Sequence, residues 1–124
     1  MKDDKDLTEK VIGCAIEVHR HLGPGLLESV YERCLAFELA AANIQHETQK
    51  EVMVNYKGVS LDLGYRTDLV VENRLIIELK AVDQIMPVHE AQLLTYMKLA
   101  GISLGLLINF NMKWLKDGIK RFVF

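Results

Sequence analysis

The chain has 124 residues, of which 50% are hydrophobic and 26% charged, and a formal net charge of −2. That charged share is close to the globular norm of about 25%, which excludes a wholly disordered chain. The acidic balance, with a pI near 6.1, excludes a protein that grips long nucleic acid by overall charge, because non-specific affinity comes largely from Lys and Arg neutralising phosphates.

Leu7, Val11, Ile12, Ala15, Ile16 and Val18 recur at helical spacing and predict an amphipathic helix, started by Asp6 or Thr8 and ending at Leu22. Gly23-Pro24-Gly25 then combines a permissive C-cap residue with a proline that disfavours helix before it. A second helix is predicted over 26–42, with Leu27, Val30, Tyr31, Cys34, Leu35 and Leu39 on its buried side and Asn43 as its stop. Beyond it the period changes. Residues 51–56 alternate, with Val52 and Val54 on one side, and Lys57-Gly58 is a turn signal. Residues 60–71 read as a longer strand, Glu72-Asn73 as the next turn and 74–82 as a third strand, giving an antiparallel meander. Pro87 suits the first turn of a helix that reaches Ala100 and is closed by Gly101. The run LGLLINF over 104–110 fits a strand buried on both faces, and IKRFVF over 119–124 a weaker final strand. The order α-α-β-β-β-α-β-β predicts an α/β (α+β) fold, with a mixed central sheet flanked by helices, as one domain over residues 1–124.

Within a strand, residues two apart share a face. Glu78 and Lys80 therefore point one way from the third strand, while Leu75, Ile77 and Leu79 point the other way into the core. Counting back across the Glu72-Asn73 turn brings Asp68 close to the level of Glu78. Two carboxylates held together repel, and partial burial raises the cost of ionising both. A divalent cation removes that conflict, since Mg²⁺ commonly takes one or two carboxylates and keeps several waters. Taken alone, Glu78-x-Lys80 is equally well a salt bridge on an exposed strand face.

Two other features bear on the choice. His89, Gln92 and Tyr96 form a polar stripe at i, i+3 and i+7 on the helix that directly follows the Glu78/Lys80 strand, so the stripe can face the acidic cluster. Glu28 in Gly25-x-x-Glu28-x-x-Tyr31 sits in a first helical turn, where the dipole favours a carboxylate. Lys113, Lys116, Lys120 and Arg121 are the strongest candidates for a basic face, although such runs are ordinarily just solvated.

The segments GPGLLESVYE, GYRTDLVVEN, LIIELKAV, EAQLLTYMKLAG and LGLLINF, in this order, resemble the GxxExxY protein family of the PD-(D/E)XK nuclease superfamily. The resemblance runs from about Leu7 to Phe124 and implies a restriction-endonuclease-like core. It implies that Asp68 and Glu78 are metal ligands, that Lys80 is the catalytic lysine, and that Glu28 is the acidic residue on the first core helix, near the metal. Gln92 and Tyr96 match a Gln-x-x-x-Tyr element that supports the site and the substrate backbone, while His89 and Arg66 fall near substrate-contact positions. Thr67 stands where the superfamily name has proline.

The expectation is a nuclease that uses Mg²⁺ or Mn²⁺ to hydrolyse phosphodiester bonds of DNA, with RNA second. The alternatives are a non-catalytic module that binds nucleic acid or protein, and a metal-dependent hydrolase of a small phosphorylated molecule. The polar opening MKDDKDLTEK, the lack of an apolar run near the roughly 20 residues that span a bilayer, and only two cysteines (Cys14 and Cys34) lead to the expectation of a reduced, cytoplasmic protein without a membrane partner. The apolar fraction leaves room for a homodimer contact or another protein partner.

Overall fold

The helical spacing of the N-terminal segment produces α1 (Asp4–Leu22) in the computed structural model, which describes residues 4–123. Leu7, Val11, Ala15 and Val18 form its buried stripe, whereas Ile16 stays 45% exposed. Asp6 and Thr8 lie inside this helix and do not cap it; the Thr8 hydroxyl donates back to the Asp4 carbonyl at 2.7 Å. The helix stops as expected at Leu22, where the N–H of left-handed Gly23 (φ 67°) closes onto the His19 carbonyl at 2.8 Å.

The second helix, α2 (Glu28–Ala41), begins later than the apolar pattern suggests. Leu27 is its cap residue, with an extended backbone that turns the side chain outward and leaves it 74% exposed, and Val30 also lies at the surface. The buried stripe is therefore Tyr31, Leu35 and Leu39, spaced by four. Asn43, left-handed at φ 59°, ends the helix by bonding back to Ala40.

The strands are β1 (His46–Tyr56), β2 (Val59–Val71), β3 (Leu75–Lys80), β4 (Leu104–Asn109) and β5 (Ile119–Val123), with α3 (Pro87–Ala100) before β4 and a short 3₁₀ turn (Leu115–Gly118) before β5. They form one sheet in the order β1-β2-β3-β4-β5, antiparallel except for the β3–β4 pair. The expected order and the meander are both present. β1 starts at His46 rather than 51 because its polar first half, HETQK, shows no in–out alternation. β3 stops at Lys80 rather than 82: the N–H and C=O of Val82 pair with the Asn109 side chain, at 3.1 and 2.9 Å, instead of with a strand. Phe124 lies outside the described residues.

Alternation along the strands divides the core into two layers. Leu69, Val71, Leu75, Ile77, Leu79, Leu106 and Ile108 meet α1 and α2 on one face. Val70, Ile76 and Leu107 meet Leu93 and Met97 of α3 on the other. A fully buried side chain of this size contributes about 1.5–3 kcal/mol, so β4, buried throughout, anchors both layers. Pro87 and Gly101 bound α3 as the sequence predicts, Gly101 in the left-handed region at φ 68°. The C-terminal charge run, by contrast, is not one face. Lys120 reaches Glu90 of α3 at 2.8 Å, Arg121 points the other way from β5 by strand alternation, and Lys113 and Lys116 lie ahead of the strand. Cys14 and Cys34 are both free thiols. Among the described residues no helix is long and apolar enough to cross a membrane.

Candidate active site

The Glu72-Asn73 turn is tight, with both residues left-handed (φ 50° and 53°) and the Arg74 N–H bonded to the Val71 carbonyl at 2.9 Å. From it the register runs Val71↔Leu75, Val70↔Ile76, Leu69↔Ile77, and there the backbone pairing of β2 with β3 ends. One step further on, side chains take over. The Asp68 N–H donates to Glu78 Oε1 at 3.2 Å, and the Leu79 N–H donates to Asp68 Oδ2 at 2.7 Å. The two strands thus part in a fork whose crotch is an Asp–Glu pair. By alternation Glu78 and Lys80 share the α3 side of β3 with Ile76.

Glu78 is only 7% exposed. Burial, then the negative charge of Asp68, pushes its carboxyl up to about 8, with Lys80 pulling the other way. Tyr96 of α3 is buried against the same place, and burial followed by the charges of Glu78 and Asp68 raises its phenol. It therefore remains a hydrogen-bond donor at neutral pH. Its ring lies 6.2 Å from that of Tyr65 on β2, beside a bulge at left-handed Gly64. Bulges commonly re-aim a side chain next to a site.

The rest of the stripe on α3 is divided. Gln92 is exposed one turn before Tyr96. His89 Nδ1 accepts the Met86 N–H at 3.0 Å, which gives it a helix-capping role. Arg66 pairs with Glu51 at 3.1 Å across the β1–β2 ladder.

Glu28 sits exposed in the first turn of α2, and the carboxylate that this helix brings to the acid pair is Glu32, which the sequence reading passed over. Glu32 is half-buried, and Gln49 of β1 donates both to Glu32 and, at 3.3 Å, to Asp68 Oδ1. Burial, opposed by that Gln49 hydrogen bond, raises the Glu32 carboxyl, and the charges of Asp68 and Glu28 add to the rise. The spacing of four from Glu28 was a usable signal, since it places both on one helix face. Gln49 offered none. It falls between the Thr48↔Leu69 and Lys50↔Thr67 pairs, opposite Asp68, with a left-handed backbone at φ 52° that a non-glycine residue seldom adopts.

Tyr31 explains the rest of its motif. Its hydroxyl donates to the Gly23 carbonyl at 2.6 Å and accepts the Leu26 N–H at 3.1 Å, while its ring stacks on Phe110 at 4.4 Å. It clamps the loop that delivers Glu28.

The donor set is all oxygen, which suits a hard cation. Among the described residues no group of three or more His, Cys, Asp or Glu forms a protein cage. Mg²⁺ ordinarily lacks one, binding through one or two carboxylates plus waters. The buried, charge-opposed Glu78 is a group that a cation would relieve.

A mixed sheet that forks at an acidic pair, with a lysine two residues along the same strand, defines the restriction-endonuclease-like class. The family model described as the PD-(D/E)XK nuclease superfamily matches residues 5–122, and the chain belongs to that superfamily, whose members are in general nucleases acting on nucleic acid with divalent metals. A crystal structure of SSO0001 is similar over 94% of this chain and 76% of its own, with 19% identity and a TM-score of 0.43. No curated protein matches the chain.

Proposed function

We propose that this chain is a Mg²⁺-dependent nuclease, with Mn²⁺ as substitute, that hydrolyses phosphodiester bonds of DNA in preference to RNA. The observation that carries the reading is the Asp68–Glu78 pair at the fork. A buried carboxyl held at about 8 beside a second carboxylate, each bonded to its neighbour strand's backbone, is a pair whose charge conflict a divalent cation would relieve. Asp68 and Glu78 would hold the metal, with Glu28 and Glu32 facing it from α2. Such an ion supplies an acidified water and counter-charge for phosphoryl oxygens. Lys80 orients the attacking water and offsets negative charge that develops in the transition state. Tyr96 donates its phenolic proton into the site, and Gln92 reaches the substrate backbone from the exposed turn of α3.

The test is cleavage of single- and double-stranded DNA and RNA in Mg²⁺ or Mn²⁺ by wild type, Asp68→Asn and Lys80→Ala, each confirmed folded. Loss in both variants is the expected result, and activity that survives in both sinks the assignment. A folded wild type that cuts nothing but binds nucleic acid would favour a non-catalytic binding module.

A further inference from the structure

Away from the acid pair, the end of α1, the Gly23-Pro24 turn and the segment running into the 3₁₀ turn enclose an open groove of about 680 Å³. His19, Arg20, Pro24, Lys113, Trp114 and Lys116 are among its lining residues, and among the described residues no acidic side chain lines it. Trp114 is 61% exposed, and the Lys113 ammonium lies 5.7 Å from its ring centroid. Arg20 is shared with Glu17, so the unshared positive charge comes from the two lysines.

The walls are held firmly. Buried His19 bonds through Nε2 to the Met112 carbonyl at 2.7 Å, Leu115 is buried, and Tyr31 ties the Gly23 loop to Phe110. The segments that form both walls lead on, along the chain, to elements of the candidate site. The Phe110 N–H bonds to the Lys80 carbonyl at 2.8 Å, and Asn109 is the register partner of Lys80. The opposite wall continues from Gly23-Pro24 into the helix that bears Glu28 and Glu32. Chain connections thus link the groove to the strand that bears Lys80 and to the helix that bears Glu32.

We propose that this groove holds a single-stranded stretch of nucleic acid, one base stacked on Trp114 and the adjoining phosphates against Lys113 and Lys116. The idea that the strand is a substrate rests on the nuclease reading; the binding itself does not. An exposed aromatic face stacks on a base that is free of a duplex, and nearby cations track the backbone. A chain with net charge −2 has no general attraction for a duplex to set against this local one.

Trp114 is the chain's only tryptophan, so its fluorescence reports this groove alone. The full chain carrying Asp68→Asn, with a chelator present to prevent cleavage, is titrated with a short oligothymidylate, a duplex of equal length and a polyglutamate peptide. Oligothymidylate is expected to quench the emission saturably, and affinity should fall as salt rises. Anisotropy of a labelled oligothymidylate should show Trp114→Ala weakening binding by about five- to a hundredfold. The surface pair Lys113→Ala/Lys116→Ala, which leaves the core untouched, should reduce the salt slope by about 1.4. Absence of quenching, or equal quenching by the duplex or the peptide, overturns the proposal. If the groove binds but wild type cuts no polymer, the groove stands and the nuclease reading fails. If wild type cuts and neither set of substitutions changes binding, the nuclease reading stands and the groove fails.

Discussion

The backbone N–H of Asp68 donates to the carboxylate of Glu78 at 3.2 Å, one step beyond the last backbone pair between their strands. The acid pair is therefore part of the sheet's own hydrogen bonding, and its ionisation is coupled to folding.

That coupling has a sign. The Glu78 carboxyl is raised to about 8 from an ordinary value of 4.5. Between those values the folded chain binds more protons than the unfolded one, so stability falls as pH rises. Melting temperature in a chelator is expected to drop from pH 5 to pH 8, and Glu78→Gln should flatten the dependence while abolishing cleavage. Added Mg²⁺ should restore stability at pH 8 in wild type only. An equally steep slope in Glu78→Gln would place the titration elsewhere.

Substitutions of Asp68 should separate chemistry from structure. Asp68→Ala strips the Leu79 N–H of its 2.7 Å acceptor, and an unsatisfied buried donor costs about 1–3 kcal/mol. Asp68→Asn keeps an acceptor oxygen there. Urea denaturation should show the alanine variant clearly destabilised and the asparagine variant close to wild type, with neither cleaving.

Gln49 offers a sharper dissection. Its left-handed backbone (φ 52°) costs on the order of 1 kcal/mol or more, and glycine adopts it without strain. Gln49→Gly should therefore hold stability within about 1 kcal/mol of wild type, the relief of strain offset by glycine's greater chain entropy. The side chain that orders Asp68 and Glu32 is lost, and removing such a partner typically weakens metal affinity or activity about 10- to 100-fold. A metal titration of cleavage rates measures this, and an unchanged midpoint and rate would make Gln49 merely structural.

Asn109 is 2% exposed and pairs with the Val82 N–H and C=O, while also accepting the Asn111 N–H at 3.2 Å. Asn109→Ala leaves these groups without their partner and is expected to cost at least about 2 kcal/mol. Because Asn109 is the register partner of Lys80, kcat should fall as well, measured beside the denaturation midpoint.

The sequence showed most plainly what depends on local periodicity. The strand alternation and the Glu72-Asn73 turn together set the level of Asp68 against Glu78, and Pro87 and Gly101 marked both ends of α3. What it concealed depends on tertiary placement. Leu27 looks like a core residue until the helix begins after it. The first half of β1 is polar on both faces and carries no period. Glu32 and Gln49 meet Asp68 from two other elements; the spacing of Glu32 from Glu28 hinted at the first, and nothing in the sequence hinted at Gln49. The lysines near the C-terminus read as one cluster, but strand geometry scatters Lys120 and Arg121.

Side-chain capture of the Leu79 amide gives the fork one further property. β3 lies between β2 and β4 at the centre of the sheet, where amide protons ordinarily exchange with solvent only through near-global unfolding. The Leu79 proton is held by a carboxylate instead of a carbonyl, so its exchange rate follows the state of Asp68 as well as the stability of the fold. Whatever protonates or displaces that carboxylate can release this one proton while its strand neighbours stay locked, making Leu79 a native reporter of occupancy at the acid pair.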